Sequence, residues 1–194
     1  MIEAGRPRPR QPLPASGRLE FRSWDESDPG LARRLWADAA VTRYIASAPY
    51  SEEEVRARLA TEAANLARMG MQYWPMFLRE TGEFAGVCGL KPCPYEGSPE
   101  RPELELGFHL VPEMWGRGLA TEAAAAAAAF AFDRPETRRL FAGHHPENRA
   151  SERVLRKLGF RYARHVFYAA TGLLHPLYVL ERGALVVPGT AGGP

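Results

Sequence analysis

A mixed α/β domain is the fold class this sequence predicts, and three observations carry it. Short segments of period-two character rich in β-formers read as strands, and two of them are separated only by turn residues. Longer segments have helical spacing with caps and stops at their ends. A glycine pair, Gly116 and Gly118, stands where a strand runs directly into an alanine-rich helix.

Taken in order, RLEFR (Arg18 to Arg22) is a short first strand, and DPGLARRLWADAAVTRYI after it has helical spacing. SEEEVRARLATEAANLARMG is the clearest helix. Ser51 and Glu54 form a capping box, Val55, Leu59, Ala63 and Leu66 share a face, and Gly70 supplies the stop. QYWPMFLR and EFAGVCGL, joined through Thr81 and Gly82, predict a hairpin. ELELGFHLV (Glu103 to Val111) is a fourth strand, with Leu104, Leu106, Phe108 and Leu110 on one face and Glu103, Glu105, Gly107 and His109 on the other, absent a bulge. The alanine helix runs to about Asp133 before Pro135. RRLFAGH is a fifth strand, NRASERVLRKLG a helix capped by Asn148 and stopped by Gly159, and FRYARHVFYA and LLHPLYVLE two terminal strands.

Flanking segments differ. Residues 1–17 set Pro7, Pro9, Pro12 and Pro14 among arginines, which predicts a disordered arm; the domain proper spans residues 18–182, and residues 183–194 read as a flexible tail. A chain of 194 residues with 45% hydrophobic content suits one domain with a real core. A net charge of +2, with Lys91 and Lys157 the only lysines, gives no indication of nucleic-acid binding. No apolar run approaches the ~20 residues of a membrane span, and the N-terminus lacks the apolar core of a secretory signal, so a cytoplasmic location is expected. Two cysteines, Cys88 in a strand and Cys93 in a proline-rich loop, are too few for a disulfide framework or a zinc site. His144 and His145 are adjacent at a strand end, where alternation sends their side chains to opposite faces, so no metal is expected there.

Glycine weakens a helix interior by roughly 1 kcal/mol relative to alanine, so Gly116 and Gly118 serve backbone geometry. The junction leaves unpaired amides at a helix N-terminus, where about half a positive charge also resides. Bare glycines there let a pyrophosphate approach the amides of Arg117 to Thr121, with the Arg117 guanidinium nearby. The alternative is a purely structural turn. Two other phosphate motifs are absent: there is no G-x-x-x-x-G-K-[ST], and the dinucleotide fingerprint fails at Thr121.

WGRGLATEA, preceded by ELGFHLVPEM and followed by PENRASERVLRKLGF, resembles the acetyl-CoA-binding core of the GNAT N-acetyltransferases, in particular their RimJ/RimL-like branch, and the resemblance covers roughly Arg18 to Glu181. It implies a mostly antiparallel central sheet flanked by helices, with a splay between the fourth and fifth strands. The family pattern R/Q-x-x-G-x-G/A matches at Trp115, Gly116, Arg117, Gly118, Leu119 and Ala120, with tryptophan in place of Arg or Gln. By the same resemblance, amides from Arg117 to Thr121 hold the coenzyme pyrophosphate, Leu110 and Val111 pair with the pantetheine amides, and Asn148, which also reads as a plain N-cap, contacts the pantetheine from across the splay. The implied activity is transfer of acetyl from acetyl-CoA to a primary amine, by direct attack in a ternary complex without metal, in a monomer or homodimer.

Such a transfer needs a neutral amine held against the thioester. An α-amine with a pKa of about 7.7–8.0 is already partly neutral near pH 7, whereas a lysine near 10.4 is almost wholly charged. Candidate bases are Glu103, Glu105 and His109 on one face of the fourth strand, with Glu105 favoured. Many relatives place a tyrosine seven residues after the capping Asn; Leu155 stands there, and Ser151, which matches the serine of the RimJ/RimL-like branch, is the remaining donor to the sulfur. Tyr44, Tyr73, Trp74 and Tyr95 are candidates for an acceptor pocket or for core. The branch includes enzymes acting on protein N-termini, ribosomal ones among them, and similar sequences modify antibiotics, polyamines and other small amines; a protein or peptide α-amine is the expected acceptor. The rivals are a CoA-binding sensor or scaffold without catalysis, which the missing tyrosine leaves open, and an interaction protein whose residues 1–17 contact RNA or ribosomes while the glycine turn is only structural.

Overall fold

The computed structural model describes residues 13–24, 28–97 and 102–187. Residues 1–12 of the expected arm and 188–194 of the expected tail lie outside these. Seven strands, β1 (Leu19–Phe21), β2 (Tyr73–Leu78), β3 (Phe84–Gly97), β4 (Pro102–Leu110), β5 (Arg139–Gly143), β6 (Arg161–Tyr168) and β7 (Leu173–Glu181), form one sheet in the order β1-β2-β3-β4-β5-β7-β6. Every neighbouring pair is antiparallel except β4 and β5, which are parallel and paired only at Leu104 with Leu140 and Glu105 with Phe141. Beyond Glu105 the two strands part. This splay is the feature that positions the site.

The helices are α1 (Pro29–Trp36), α2 (Ala39–Thr42), α3 (Glu52–Met69), α4 (Leu119–Phe132) and α5 (Arg149–Lys157). The helical stretch expected over residues 28–45 breaks in two because the Asp38 carboxylate takes the Ala40 and Val41 amides at 2.7 and 3.1 Å and starts a new helix. In α3 the capping box and the left-handed Gly70 stop are as read from sequence. Its buried face is not. Ala63 is exposed, whereas Glu62 and Asn65 are buried, because the Glu62 carboxylate accepts from the Tyr73 amide at 2.7 Å and from Arg58 Nε at 2.9 Å.

Alternation in β2 assigns the two faces of the sheet. Trp74 packs edge-on against Phe130 of α4, while Tyr73, on the opposite face, lies beneath Arg58 of α3. The alanines of α4 are buried from Ala123 to Ala128, which lets the helix lie close on β3 and β4. No bulge interrupts β4 between Leu104 and Leu110, so the expected alternation holds.

Three boundaries move. Pro14 is buried, Ser16 Oγ donates to the Glu122 carboxylate at 2.6 Å, and its carbonyl takes Arg79 Nε, so packing begins ahead of Arg18. At the other end the Val186 amide bonds to Leu158 and the Ala184 carbonyl crowds Gly159, so residues 183–187 are docked. Cys93 is not in a loop. β3 continues through Pro92 and Pro94 by an irregularity in its register with β4, which accommodates the missing proline N–H groups, and Cys93 is buried with Phe141, Val166 and Leu177.

Candidate functional site

The splay opens a cavity of about 530 Å³ that passes between the two faces of the sheet. On the α4 face it is lined by the turn after β4, where Gly116 and Gly118 have φ of 72° and 76°. A side chain at Gly116 would meet nothing within 4 Å, and one at Gly118 would meet only Arg18. Left-handed backbone and open space, rather than close packing, are what the two positions require of glycine. Gly118 is the N-cap of α4 and provides no side-chain cap; the Glu122 amide, bonded to the Gly118 carbonyl, is the first to find a carbonyl. Among the described residues the amides of 116–121 have no protein acceptor. The turn is braced from β1. Arg18 donates through Nη1 to the Arg117 carbonyl at 3.0 Å and through Nε to Glu122 at 2.6 Å, and these contacts together with the Ser16 hydroxyl outweigh burial and lower the Glu122 pKa.

Gly118, Leu119, Ala120 and Thr121 line the cavity, with Trp115 and Gly116. Arg117 is exposed and does not; its guanidinium donates to Met114 Sδ. Just after β4, the Val111 amide donates to Ala85 and its carbonyl accepts from Met114, so both of its backbone groups are used within the protein, and it too is absent from the lining. By the two-residue alternation, Leu110 and Phe108 turn their N–H and C=O groups the other way, toward the splay. The Leu110 carbonyl accepts the Trp115 indole N–H at 2.8 Å, which gives the tryptophan of this chain a role in shaping the turn. The backbone edge that faces the splay is therefore that of Phe108 and Leu110, and Val111, expected beside Leu110, is turned toward β3.

From α5 come Asn148 and Ser151. Asn148 Oδ1 caps the helix by taking the Ser151 amide at 3.0 Å, and its Nδ2 donors have no partner among the described residues. Leu155, in the place of the absent tyrosine, is buried. Arg153 and Lys157, one turn apart on α5, also line the cavity; the sequence reading missed them, although their i,i+4 spacing after the cap was readable.

On the α3 face stands Glu105, which faces Lys91 across the β3–β4 ladder and pairs with it at 3.4 Å. Burial alone would lower the Lys91 pKa, but Tyr73 and Glu105 outweigh it and raise it, so this lysine is a fixed cation. Of the other candidate bases, Glu103 is held by Arg139 at 3.1 Å and lies outside the cavity. His109 also lines the cavity; its Nδ1 accepts from Trp36 Nε1 at 3.3 Å, and burial, with Arg58 and Lys91 nearby, lowers its pKa to about 3, so the ring is neutral. Tyr44, Tyr73 and Tyr95 line the cavity, while Trp74 is core. His144 lies against Tyr178 and donates through Nδ1 to the His145 carbonyl, whereas His145 stands between Tyr44 and His175.

Comparison with known proteins decides the family. Residues 18–161 match the model of the acetyltransferase (GNAT) domain. The chain belongs to the GNAT acetyltransferases. It is an acetyl-CoA-dependent N-acyltransferase by that membership. Protein YkkB of Bacillus subtilis strain 168 is 29% identical over 150 residues, which cover 77% of this chain and 85% of YkkB. Among solved structures, RimL, a ribosomal alpha-N-protein acetyltransferase in complex with coenzyme A, superposes with a TM-score of 0.71 at 22% identity, over 87% of this chain and 96% of that one. AAC(6')-Ib in complex with paromomycin and acetyl-CoA gives 0.71 at 18% identity, over 92% and 100%. These two likenesses are of fold. For this GNAT chain they leave the acceptor to be argued from the site itself. Among the described residues no group of three or more His, Cys, Asp or Glu could hold a metal, and no helix is long and apolar enough to cross a membrane.

Proposed function

We propose that this protein, a RimJ/RimL-like GNAT enzyme, transfers acetyl from acetyl-CoA to the α-amine of a protein or peptide by direct attack in a ternary complex. The observation that carries the reading is one cavity with bare amides at one face of the sheet and Glu105 at the other.

The turn fits the coenzyme's diphosphate: six amides at a helix start without acceptors among the described residues, open space at Gly116, and Arg153 and Lys157 lining the same cavity. Amides from Arg117 to Thr121 would hold the pyrophosphate, and the Phe108 backbone groups and Leu110 N–H, with Asn148 Nδ2, the pantetheine. Bound acetyl-CoA supplies an acetyl group activated as a thioester. Glu105 accepts the proton that the amine sheds as its nitrogen acquires the acetyl, directly or through one water. Lys91 holds that carboxylate in place. Ser151 Oγ, in the first turn of α5, donates a hydrogen bond toward the departing sulfur. Because an ordinary thiol has a pKa of about 8.5, such a donor suffices in place of a strong acid.

A thermal-shift titration with acetyl-CoA, followed by thiol-release assays on short peptides and small amines, tests the proposal. The expected result is a concentration-dependent rise in Tm and turnover with peptides. Ser151→Ala should keep the shift and turn over more slowly; unchanged turnover would remove the donor role. Leu155 at the tyrosine position favours one alternative, a sensor that binds the coenzyme without catalysis, and that reading expects the same shift with no thiol release from any amine.

A further inference from the structure

The acceptor side of the cavity has a chemical character of its own. The row Lys91, Glu105, Phe141, Val179 crosses the sheet at one level and marks the face on which Glu105 stands. His175, four residues before Val179, shares that face, as do Val166, paired with His175, and Tyr168 two residues on. There the rings form a file: Tyr44 against His145 at 5.2 Å, His145 against His175 at 5.4 Å, His175 against Tyr168 at 4.8 Å. Tyr95, its hydroxyl tied to the Phe167 carbonyl, extends the wall.

Charge on this side is already balanced. Among the described lining residues the carboxylate is Glu105, and it is matched by Lys91; the second cation, Arg58, is neutralised by Glu62 behind it. Rings attract cations through their faces, but here Arg43 already covers Tyr44 at 4.5 Å, and Arg58 and Lys91 lie over Tyr73 at 5.2 and 5.9 Å. A second ammonium on the acceptor would have to shed its water beside Arg58 and Lys91 with no carboxylate left to receive it. An aromatic or bulky apolar group would instead displace water from ring surfaces.

Resting on the transferase reading above, we infer that the acceptor bears its reactive amine on an aromatic or bulky apolar body with no second positive charge beside it. For a peptide, this means a first residue such as Phe, Tyr, Met or Leu, and not Lys or Arg. Polyamines and aminoglycosides are disfavoured by the same balance.

The test compares thiol release at saturating acetyl-CoA for Phe-Ala-Ser against Lys-Ala-Ser and for 2-phenylethylamine against spermidine, with calorimetric binding of the same four compounds to the CoA-loaded protein. A kcat/KM at least about tenfold higher for the aromatic member of each pair is expected. Tyr44→Ala should bring the ratios toward one, while Tyr44→Phe should retain them. Equal or higher values for the polycations overturn the inference and leave the transferase reading standing. If the protein binds acetyl-CoA yet no amine releases thiol, the transferase reading falls and calorimetry decides this one: about tenfold tighter aromatic binding upholds it, equal binding overturns it.

Discussion

The hydroxyl of Tyr73 occupies the place where a side chain at residue 107 would begin: a Cβ on Gly107 would stand 1.9 Å from that oxygen. Register explains how the phenol gets there. Tyr73 pairs with Gly89, and Gly89 with Gly107, so two successive strands offer no side chain on this face and the ring lies across both to reach the splay.

Gly107→Ala is therefore expected to destabilise the fold by about 1–3 kcal/mol, since the ring is hemmed by Arg58 and Lys91 and cannot simply swing away. Removing the oxygen should relieve part of this, since the ring carbon Cζ would still stand 2.5 Å from that Cβ. In a double-mutant cycle with Tyr73→Phe, read by denaturant midpoints, a coupling of about 0.5–3 kcal/mol is expected. Additive effects would show that the Tyr73 hydroxyl and a side chain at residue 107 do not meet.

At Gly118, two substitutions separate folding from binding. Gly118→Ala keeps an uncharged surface but places a Cβ at φ 76°, so it should lower stability by about 1–2 kcal/mol with room for the methyl itself. Aspartate tolerates the left-handed region better than alanine. Gly118→Asp is thus expected to be the more stable of the two and yet to lose the acetyl-CoA thermal shift, because its carboxylate stands among the bare amides. A retained shift would mean that the amides do not hold the diphosphate.

Signals that are local in the chain were legible in advance. Ser51 with Glu54, Gly70, Asn148 and the Gly116–Gly118 turn each act within a few residues, and their caps, stop and turn appear where the sequence placed them. Signals that arise from distant strands were not. Glu62 lies outside the helix face of Val55, Leu59, Ala63 and Leu66, and its burial depends on the Tyr73 amide that arrives from β2; the partner of Lys91 is set by the ladder that places it opposite Glu105. Val111 illustrates the finer limit: alternation along β4 was readable, but which edge its amide faces depends on Ala85 in the neighbouring strand.

The two carboxylates of β4 differ in surroundings despite their equivalent spacing. Glu105 faces the cavity, whereas Glu103 is held by Arg139 outside it. Glu105→Gln, which keeps shape and removes the proton acceptor, should lower kcat by about 10²- to 10⁴-fold with the acetyl-CoA affinity little changed. Glu103→Gln should leave kcat within about twofold and, because Arg139 also reaches Glu96, cost less than about 1 kcal/mol of stability. Loss of rate on the Glu103 side instead would transfer the base role.

His109 gives the fold a defined response to acid. Burial, reinforced by Arg58 and Lys91, holds its pKa down to about 3 against an ordinary value near 6.5. The folded state thus binds fewer protons than the unfolded state between these values, so the contribution is fully present above about pH 6.5 and is lost as pH falls toward 3. Protonation would also remove the acceptor at Nδ1 and leave the Trp36 indole N–H without its partner. His175, whose pKa burial and its neighbours His145 and His144 lower to about 4, acts in the same direction. Glutamine at 109 can still accept from Trp36 but does not titrate. Between about pH 7 and 4.5 the parent protein should therefore lose roughly 2–3 kcal/mol more stability than His109→Gln, the carboxylate and His175 contributions cancelling in the comparison. Parallel urea-midpoint profiles for the two proteins would refute a neutral, half-buried His109.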